Sequence, residues 1–151
     1  MRLSFKTKYP FNPKQETEFE SKIKEGMKIH TLREDPKRRW RAGVDIEMVN
    51  GSRYKPNVFN TEHRCSSVQE VQLSIFRDYK GIGEPVNANF SLQIEVDGRK
   101  LNRDEIRVFI FNDGFYTLES FLRWFFEGDI SYVSLNEPIK LRCIHWTDLK
   151  Y

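Results

Sequence analysis

The stretch that decides the fold follows a predicted amphipathic helix and reads Gly26-Met27-Lys28-Ile29-His30-Thr31-Leu32-Arg33. The helix is predicted to start at Asn12-Pro13, a capping residue followed by a proline that needs no amide hydrogen. Its apolar residues repeat every four positions from Phe19 to Met27. Gly26 favours the left-handed conformation that ends a helix. The residues from Lys28 to Arg33 then predict a strand that carries an amine, an imidazole, a hydroxyl and a guanidinium close to a rigid helix end.

Alternating apolar residues and turn signals outline the rest of the chain. Further strands are predicted at 3–5, 44–49, 71–75, 90–96 and 139–143. One helix begins at Asn102, where Glu105 completes a capping box, and ends at Gly114; another begins at Thr117 and ends at Gly128. This order predicts an α+β domain built on a curved or closed sheet, with about six strands and about three helices. Residues 1–151 suit a single domain with one core.

Composition narrows the class of protein. The 151 residues carry a net charge of +3, which alone does not indicate nucleic acid. No apolar run reaches membrane-spanning length, and residues 1–6 contain no apolar signal region. Cys65 and Cys143 lie far apart and lack metal-ligand spacing, which favours reduced thiols. We therefore expect a soluble, cytoplasmic protein with no membrane partner and no cofactor.

Lys28 and Thr31 have two interpretations. In the first, the lysine activates the threonine hydroxyl as a nucleophile. Residues three apart point to opposite faces of a straight strand, so this interpretation requires a turn or bulge near Gly26. In the second, the pair is a solvated strand start, which the spacing alone favours because K-x-x-T pairs are common. The three histidines have no partners nearby in sequence, so no metal site is predicted: His30, His63 and His145.

A basic stretch follows the predicted strand. Five basic residues stand between positions 33 and 41, together with one tryptophan, and a further arginine follows at position 53. This stretch either contacts phosphate, with the indole stacking on a base or ribose, or forms a solvated loop with the indole in the core. The candidate nucleic-acid contacts are Arg33, Lys37, Arg38, Arg39, Trp40, Arg41 and Arg53.

Taken together, these features resemble the start of ASCH domains, which belong to the PUA-like superfamily of small β-barrels. In that family a G-x-K-x-x-T-x-R segment follows the first helix, as it does from Gly26 to Arg33. A G-D-x-I-like segment then begins the next strand, matched here by Gly43 and Ile46 with Val44 inserted. The segment 112–115 and the helix after it resemble the later helical part of larger ASCH-like proteins. The resemblance implies a PUA-like mixed, curved β-barrel whose cleft accepts nucleic acid or a nucleoside.

The resemblance also implies a possible reaction. Some small ASCH proteins are amidohydrolases that deacetylate acetylcytidine with a Lys, a Thr and a Glu, for which the counterparts here are Lys28, Thr31 and the shorter acid Asp113. The leading hypothesis is RNA or nucleoside binding in a polar cleft around Lys28, Thr31 and Arg33. The first alternative is hydrolysis of a modified nucleoside such as acetylcytidine by Lys28, Thr31 and Asp113. The second is a protein-interaction module that uses a long loop from 78 to 87.

Overall fold

The computed structural model describes residues 1–78, 89–126 and 137–151. Within these ranges the protein is α+β, with three helices and ten strands. The helices are α1 (Phe19–Lys24), α2 (Arg103–Asn112) and α3 (Leu118–Phe125). The strands are β1 (Arg2–Ser4), β2 (Lys8–Tyr9), β3 (Asn12–Glu16), β4 (His30–Arg33), β5 (Glu47–Ser52), β6 (Lys55–Asn60), β7 (Ser67–Asp78), β8 (Asn89–Val96), β9 (Arg99–Lys100) and β10 (Ile139–His145).

The strands form three separate sheets. The largest has the order β4-β10-β7-β8-β9 and is antiparallel throughout, so the last strand lies between two strands from the first half of the chain. A second sheet has the order β1-β5-β6, with β1 parallel to β5, and β2 pairs with β3 in the third. None of these sheets closes into a barrel, so the predicted β-barrel is wrong.

Two physical reasons explain why the predicted strand pairing and the predicted number of strands differ from the structure. Period-two alternation shows that a segment is a half-buried strand, but the partner of that strand depends on contacts far away in sequence. The prediction of about six strands also missed short, solvent-facing ones, since these bury no apolar face. β3 is exposed along its whole length, and both residues of β9 are exposed.

The predicted helix start at Asn12-Pro13 is also wrong. These residues begin β3, and α1 starts later, after Glu18, which has a left-handed φ of 57° and caps nothing with its side chain. Proline is tolerated both in the first turn of a helix and on an edge strand, so the dipeptide fits either element. Gly26 does adopt the predicted left-handed conformation, with φ of 75°.

Other local predictions are confirmed. Asn102 and Glu105 form the capping box of α2, and the Thr117 hydroxyl accepts from the Ser120 amide at 3.1 Å to cap α3. Gly114 follows α2 with φ of 90°. The predicted end of α3 at Gly128 and most of the predicted loop from 78 to 87 lie outside the described residues. None of the described helices combines the length and the apolar character that crossing a membrane requires.

An aromatic cluster holds the turn after α2 against the two other helices. The Phe115 ring lies 5.6 Å from Phe19 of α1, 5.4 Å from Phe121 of α3 and 5.6 Å from Trp124 of α3, centroid to centroid and edge to face. Such pairs stabilise beyond the area they bury. The turn that contains Asp113 is therefore placed over the start of α1.

Candidate functional site

The carboxyl end of α2 is the meeting point of the segments that the sequence singled out. Three consecutive carbonyl oxygens there each accept a hydrogen bond from the chain between positions 22 and 29: Asn112 from the Ile29 amide at 3.0 Å, Asp113 from Lys28 Nζ, and Gly114 from Lys22 Nζ at 3.0 Å. Carbonyls at a helix end lack intrahelical donors and carry partial negative charge. Two of these three donors are buried lysine side chains, which also supply the opposite charge.

Lys28 and Asp113 form an ion pair in the interior. Lys28 Nζ lies 2.7 Å from Asp113 Oδ1, and each side chain is only 2 % exposed. The Phe19 ring covers the ammonium at 4.7 Å and the Phe5 ring at 5.8 Å. Burial lowers the pKa of Lys28 and raises the pKa of Asp113, and the attraction between the two groups offsets part of each shift.

Gly114 is required by the close approach of this ion pair. A Cβ built at this position would lie 3.0 Å from Lys28 Cδ and 3.1 Å from two atoms of the Phe19 ring. Its φ of 90° is also a conformation that other residues rarely adopt. The glycine that ends α2 therefore allows both the turn and the contact.

Thr31 and Arg33 occupy different positions around the pair. Thr31 is 4 % exposed, and no hydrogen bond in the described part of the chain joins it to Lys28 or Asp113. The Arg33 guanidinium donates to the Ser4 carbonyl at 2.7 Å and lies 5.3 Å from the Phe5 ring centroid. Its charge also favours the ionised form of Asp113. The structure thus groups Lys28, Asp113 and Arg33, and no hydrogen bond among the described residues adds Thr31 to this group.

The basic stretch forms a loop whose backbone is held by one carboxylate. Asp35 accepts hydrogen bonds from the Arg39 amide at 3.0 Å and from the Trp40 amide at 2.8 Å. Although desolvation raises the pKa of Asp35, these two donors and the nearby charges of Arg142 and Arg39 bring it below its usual value. Trp40 is 5 % exposed and belongs to the core. The indole therefore anchors the loop and is not free to stack on a base.

The cationic side chains of this loop face solvent. The exposed ones are Lys37, Arg38, Arg39 and Arg41, to which we refer as the loop cations. Arg33 is half-buried, and the candidate Arg53 is exposed but lies in the turn between β5 and β6, in a different sheet. The structure thus brings four of the seven predicted contacts together on one exposed loop.

A cavity of about 490 Å³ adjoins the loop cations. Its wall includes Arg38, which pairs with Glu70 at 2.8 Å, and Lys140 and Arg142 from β10. The Nε of Arg142 is buried and has no hydrogen-bond partner among the described residues. Glu34, Asp35 and Glu70 contribute carboxylates to the same wall. Asp35 is already occupied by backbone donors and Glu70 by Arg38, whereas Arg142 Nε is a donor without a partner in the described residues.

A second buried polar group was missed by sequence reasoning. β10 pairs with β4 so that His145 lies directly opposite His30, and Cys143 stands two residues earlier on β10. Donor atoms of these three residues all lie within 4.8 Å of one another. The alternation of Cys143 and His145 predicts a shared face, but the third member depends on a strand register across more than a hundred residues.

Comparison of the chain with protein families, curated proteins and solved structures finds no match. The resemblance to ASCH domains therefore stays a prediction.

Proposed function

We propose that the protein binds RNA through the loop cations and the adjoining cavity. The main support for RNA binding is that four cationic side chains are exposed on one loop. The backbone of this loop is held by Asp35 and by the buried Trp40. Phosphate contacts from lysine and arginine supply most of the affinity of such interfaces. Because the loop is already ordered, less conformational entropy is lost when a ligand binds.

The cavity supports the same function. Arg142 places an unpartnered guanidinium nitrogen beside Arg38 and Lys140, and charge-assisted hydrogen bonds to phosphate are stronger than neutral ones. A volume of about 490 Å³ lies in the range of small-ligand sites. Trp40 is buried in the core under the loop, so its indole is not available to stack on a base.

The test is binding of a fluorescently labelled single-stranded oligoribonucleotide, followed by anisotropy across a range of salt concentrations. We expect affinity to fall with salt, and the triple variant Lys37→Gln/Arg39→Gln/Arg41→Gln to flatten the dependence of log K on log salt by about two, at about 0.7 per lost phosphate contact. The matched control is Lys14→Gln/Arg103→Gln/Arg107→Gln, which removes the same charges from exposed positions elsewhere. Equal loss in both variants would show that net charge alone attracts RNA. Absence of binding at low salt would exclude the proposed function.

A second candidate function is deacylation of a modified nucleoside such as acetylcytidine. It is favoured by the 2.7 Å contact between Lys28 and Asp113, since the resemblance places both in the reaction. A cavity of about 380 Å³ is lined in part by Phe5 and Phe19, the same rings that cover the ammonium. A substrate must displace these rings to reach Nζ. Turnover of acetylcytidine that is lost in Lys28→Ala supports this candidate, and absence of turnover in the unmodified protein excludes it.

A further inference from the structure

The face shared by β4 and β10 carries three potential metal ligands in the protein interior. His30, Cys143 and His145 are all fully buried, with exposed fractions of 0 %. Neither ring nitrogen of His145 has a hydrogen-bond partner in the described ranges, and neither does Nε2 of His30. Buried polar atoms are nearly always satisfied, so three unpartnered nitrogens in one cluster require an explanation.

We propose that His30, Cys143 and His145 form a binding site for a d¹⁰ metal cation with affinity for imidazole and thiolate, namely Zn²⁺ or Cu⁺. Both ions bind this ligand set. The donor atoms lie within 4.8 Å of one another and have to approach to about 3.5 Å around a bound ion.

The surroundings of His30 orient its ring for this role. Its Nδ1 lies 3.2 Å from the Tyr151 hydroxyl, which also accepts a hydrogen bond from Asn112 Nδ2 at 2.8 Å. When Nδ1 carries the proton and donates it to Tyr151, the Nε2 lone pair is free for a metal. Metal-binding histidines typically donate their second nitrogen in this way, which fixes the tautomer and the ring orientation. The Phe109 ring, 4.9 Å from the His30 ring and 4.7 Å from the Tyr151 ring, packs beside that tyrosine.

The protonation states suit cation binding at neutral pH. Burial lowers the pKa of His30 well below its usual value and that of His145 to about 4, so both rings are neutral. Burial raises the pKa of Cys143 well above its usual value, so its thiol is protonated before the metal binds. The incoming cation therefore displaces one proton from the sulfur, and loading releases that proton to solvent.

The experiment loads the metal-free full chain with Zn²⁺ alone or, anaerobically, with Cu⁺ alone, and measures bound metal after dialysis. We expect about one ion per chain in one of the two arms, which identifies the ion. Co²⁺ serves as an optical probe of the same site, and a thiolate-to-cobalt charge-transfer band is expected because Cys143 is a ligand.

Two cysteine variants separate this site from adventitious binding. Cys143→Ser should lose the band and bound metal, whereas Cys65→Ser, at an equally buried free cysteine outside the cluster, should keep both. The wild-type band gives an answer even where Cys143→Ser does not fold. No stoichiometric metal in either arm, a cobalt complex without the band, or retained binding in folded Cys143→Ser would overturn the proposal.

Discussion

Two ion pairs of nearly equal length occupy opposite environments in this molecule. Lys28 and Asp113 are 2.7 Å apart with both side chains 2 % exposed, whereas Arg38 and Glu70 are 2.8 Å apart with side chains 73 % and 61 % exposed. The first pair ties the chain after α1 to the end of α2, and the second lies on the basic loop. The comparison shows that the distance within an ion pair does not indicate its role. The exposure of the two charges to solvent matters more, because it sets how strongly they are screened and hydrated.

Solvent acts on the two pairs in opposite ways. Charges at the surface are screened, and such a pair contributes about 0–1 kcal/mol to stability, so the loop cations are free to exchange partners. Charges in the interior have lost their hydration, and each becomes costly when its partner is removed. We therefore expect the buried cluster at the end of α2, formed by Lys28, Asp113 and Gly114, to control stability. We expect the loop cations to control binding.

Acidification should cause the largest loss of stability. The folded pKa of His145 is lowered to about 4 by burial first and then by the Lys150 charge, and that of His30 is lowered further, by burial, Lys28 and His145. The unfolded chain, with histidine pKa near 6.5, therefore binds more protons than the folded one. This stability is fully present above about pH 6.5, and it falls by up to about 2.7 kcal/mol per pH unit for the two residues as the pH drops toward 4.

Urea unfolding between pH 7 and 4.5, with a chelator present, measures this effect. Because the folded pKa of Asp113 is raised, its contribution to stability increases as the pH falls, opposite to that of the histidines. A histidine variant is therefore needed to measure the contribution of the imidazoles alone. His145→Gln should remove about half of the slope. His63→Gln, at a half-buried position, should change the slope less. A slope that is the same in His145→Gln and in the unmodified protein would contradict the lowered pKa of His145.

Breaking the buried pair is the next largest effect. Lys28→Met leaves the Asp113 carboxylate in the interior without its cation, and we expect a loss of about 3–5 kcal/mol in the free energy of unfolding. The matched control is Lys24→Met, which removes an exposed lysine from a 2.6 Å contact with Glu20 and should cost less than about 0.5 kcal/mol. Similar losses in the two variants would contradict the contrast between interior and surface pairs.

Gly114→Ala should destabilise the same cluster by a smaller amount. The added Cβ meets Lys28 and Phe19 at 3.0–3.1 Å in a left-handed backbone, and we expect a loss of about 3 kcal/mol. Gly98→Ala shares the positive φ, 83° against 90°, but its Cβ would meet nothing within 4 Å. Chemical denaturation of the two variants thus separates backbone strain, about 1 kcal/mol, from the steric term. Equal losses would remove the steric argument.

The sequence predicted local features better than pairings. The capping box at Asn102 and the left-handed Gly26 depend on neighbouring residues and are confirmed. Asn12-Pro13 failed although it is local, because the dipeptide fits two elements and the choice between them depends on packing. The closed barrel failed because sheet order depends on distant contacts, such as β10 entering between β4 and β7.

The same limit applies to the candidate site. Lys28 and Asp113 were grouped through the resemblance, and no property of either residue indicates a contact across 85 positions. The facing of His30 and His145 required the register of β4 against β10. In the sequence Asp35 is one more charge in a basic stretch, and nothing near it indicates a structural role. In the structure its carboxylate accepts hydrogen bonds from two loop amides and holds the backbone from which the loop cations extend.

The smallest expected effect on stability belongs to the loop itself. Lys37→Gln/Arg39→Gln/Arg41→Gln should change the free energy of unfolding by less than about 0.5 kcal/mol, because the three side chains are exposed and the loop backbone is held by Asp35 and Trp40. The same variant should weaken RNA binding, so urea unfolding and anisotropy should move independently. Asp35→Ala provides the opposite case: it removes two backbone hydrogen bonds but no loop cation, and should cost about 1–3 kcal/mol. A triple variant as unstable as Asp35→Ala would mean that the cations hold the loop together and are not available to a partner.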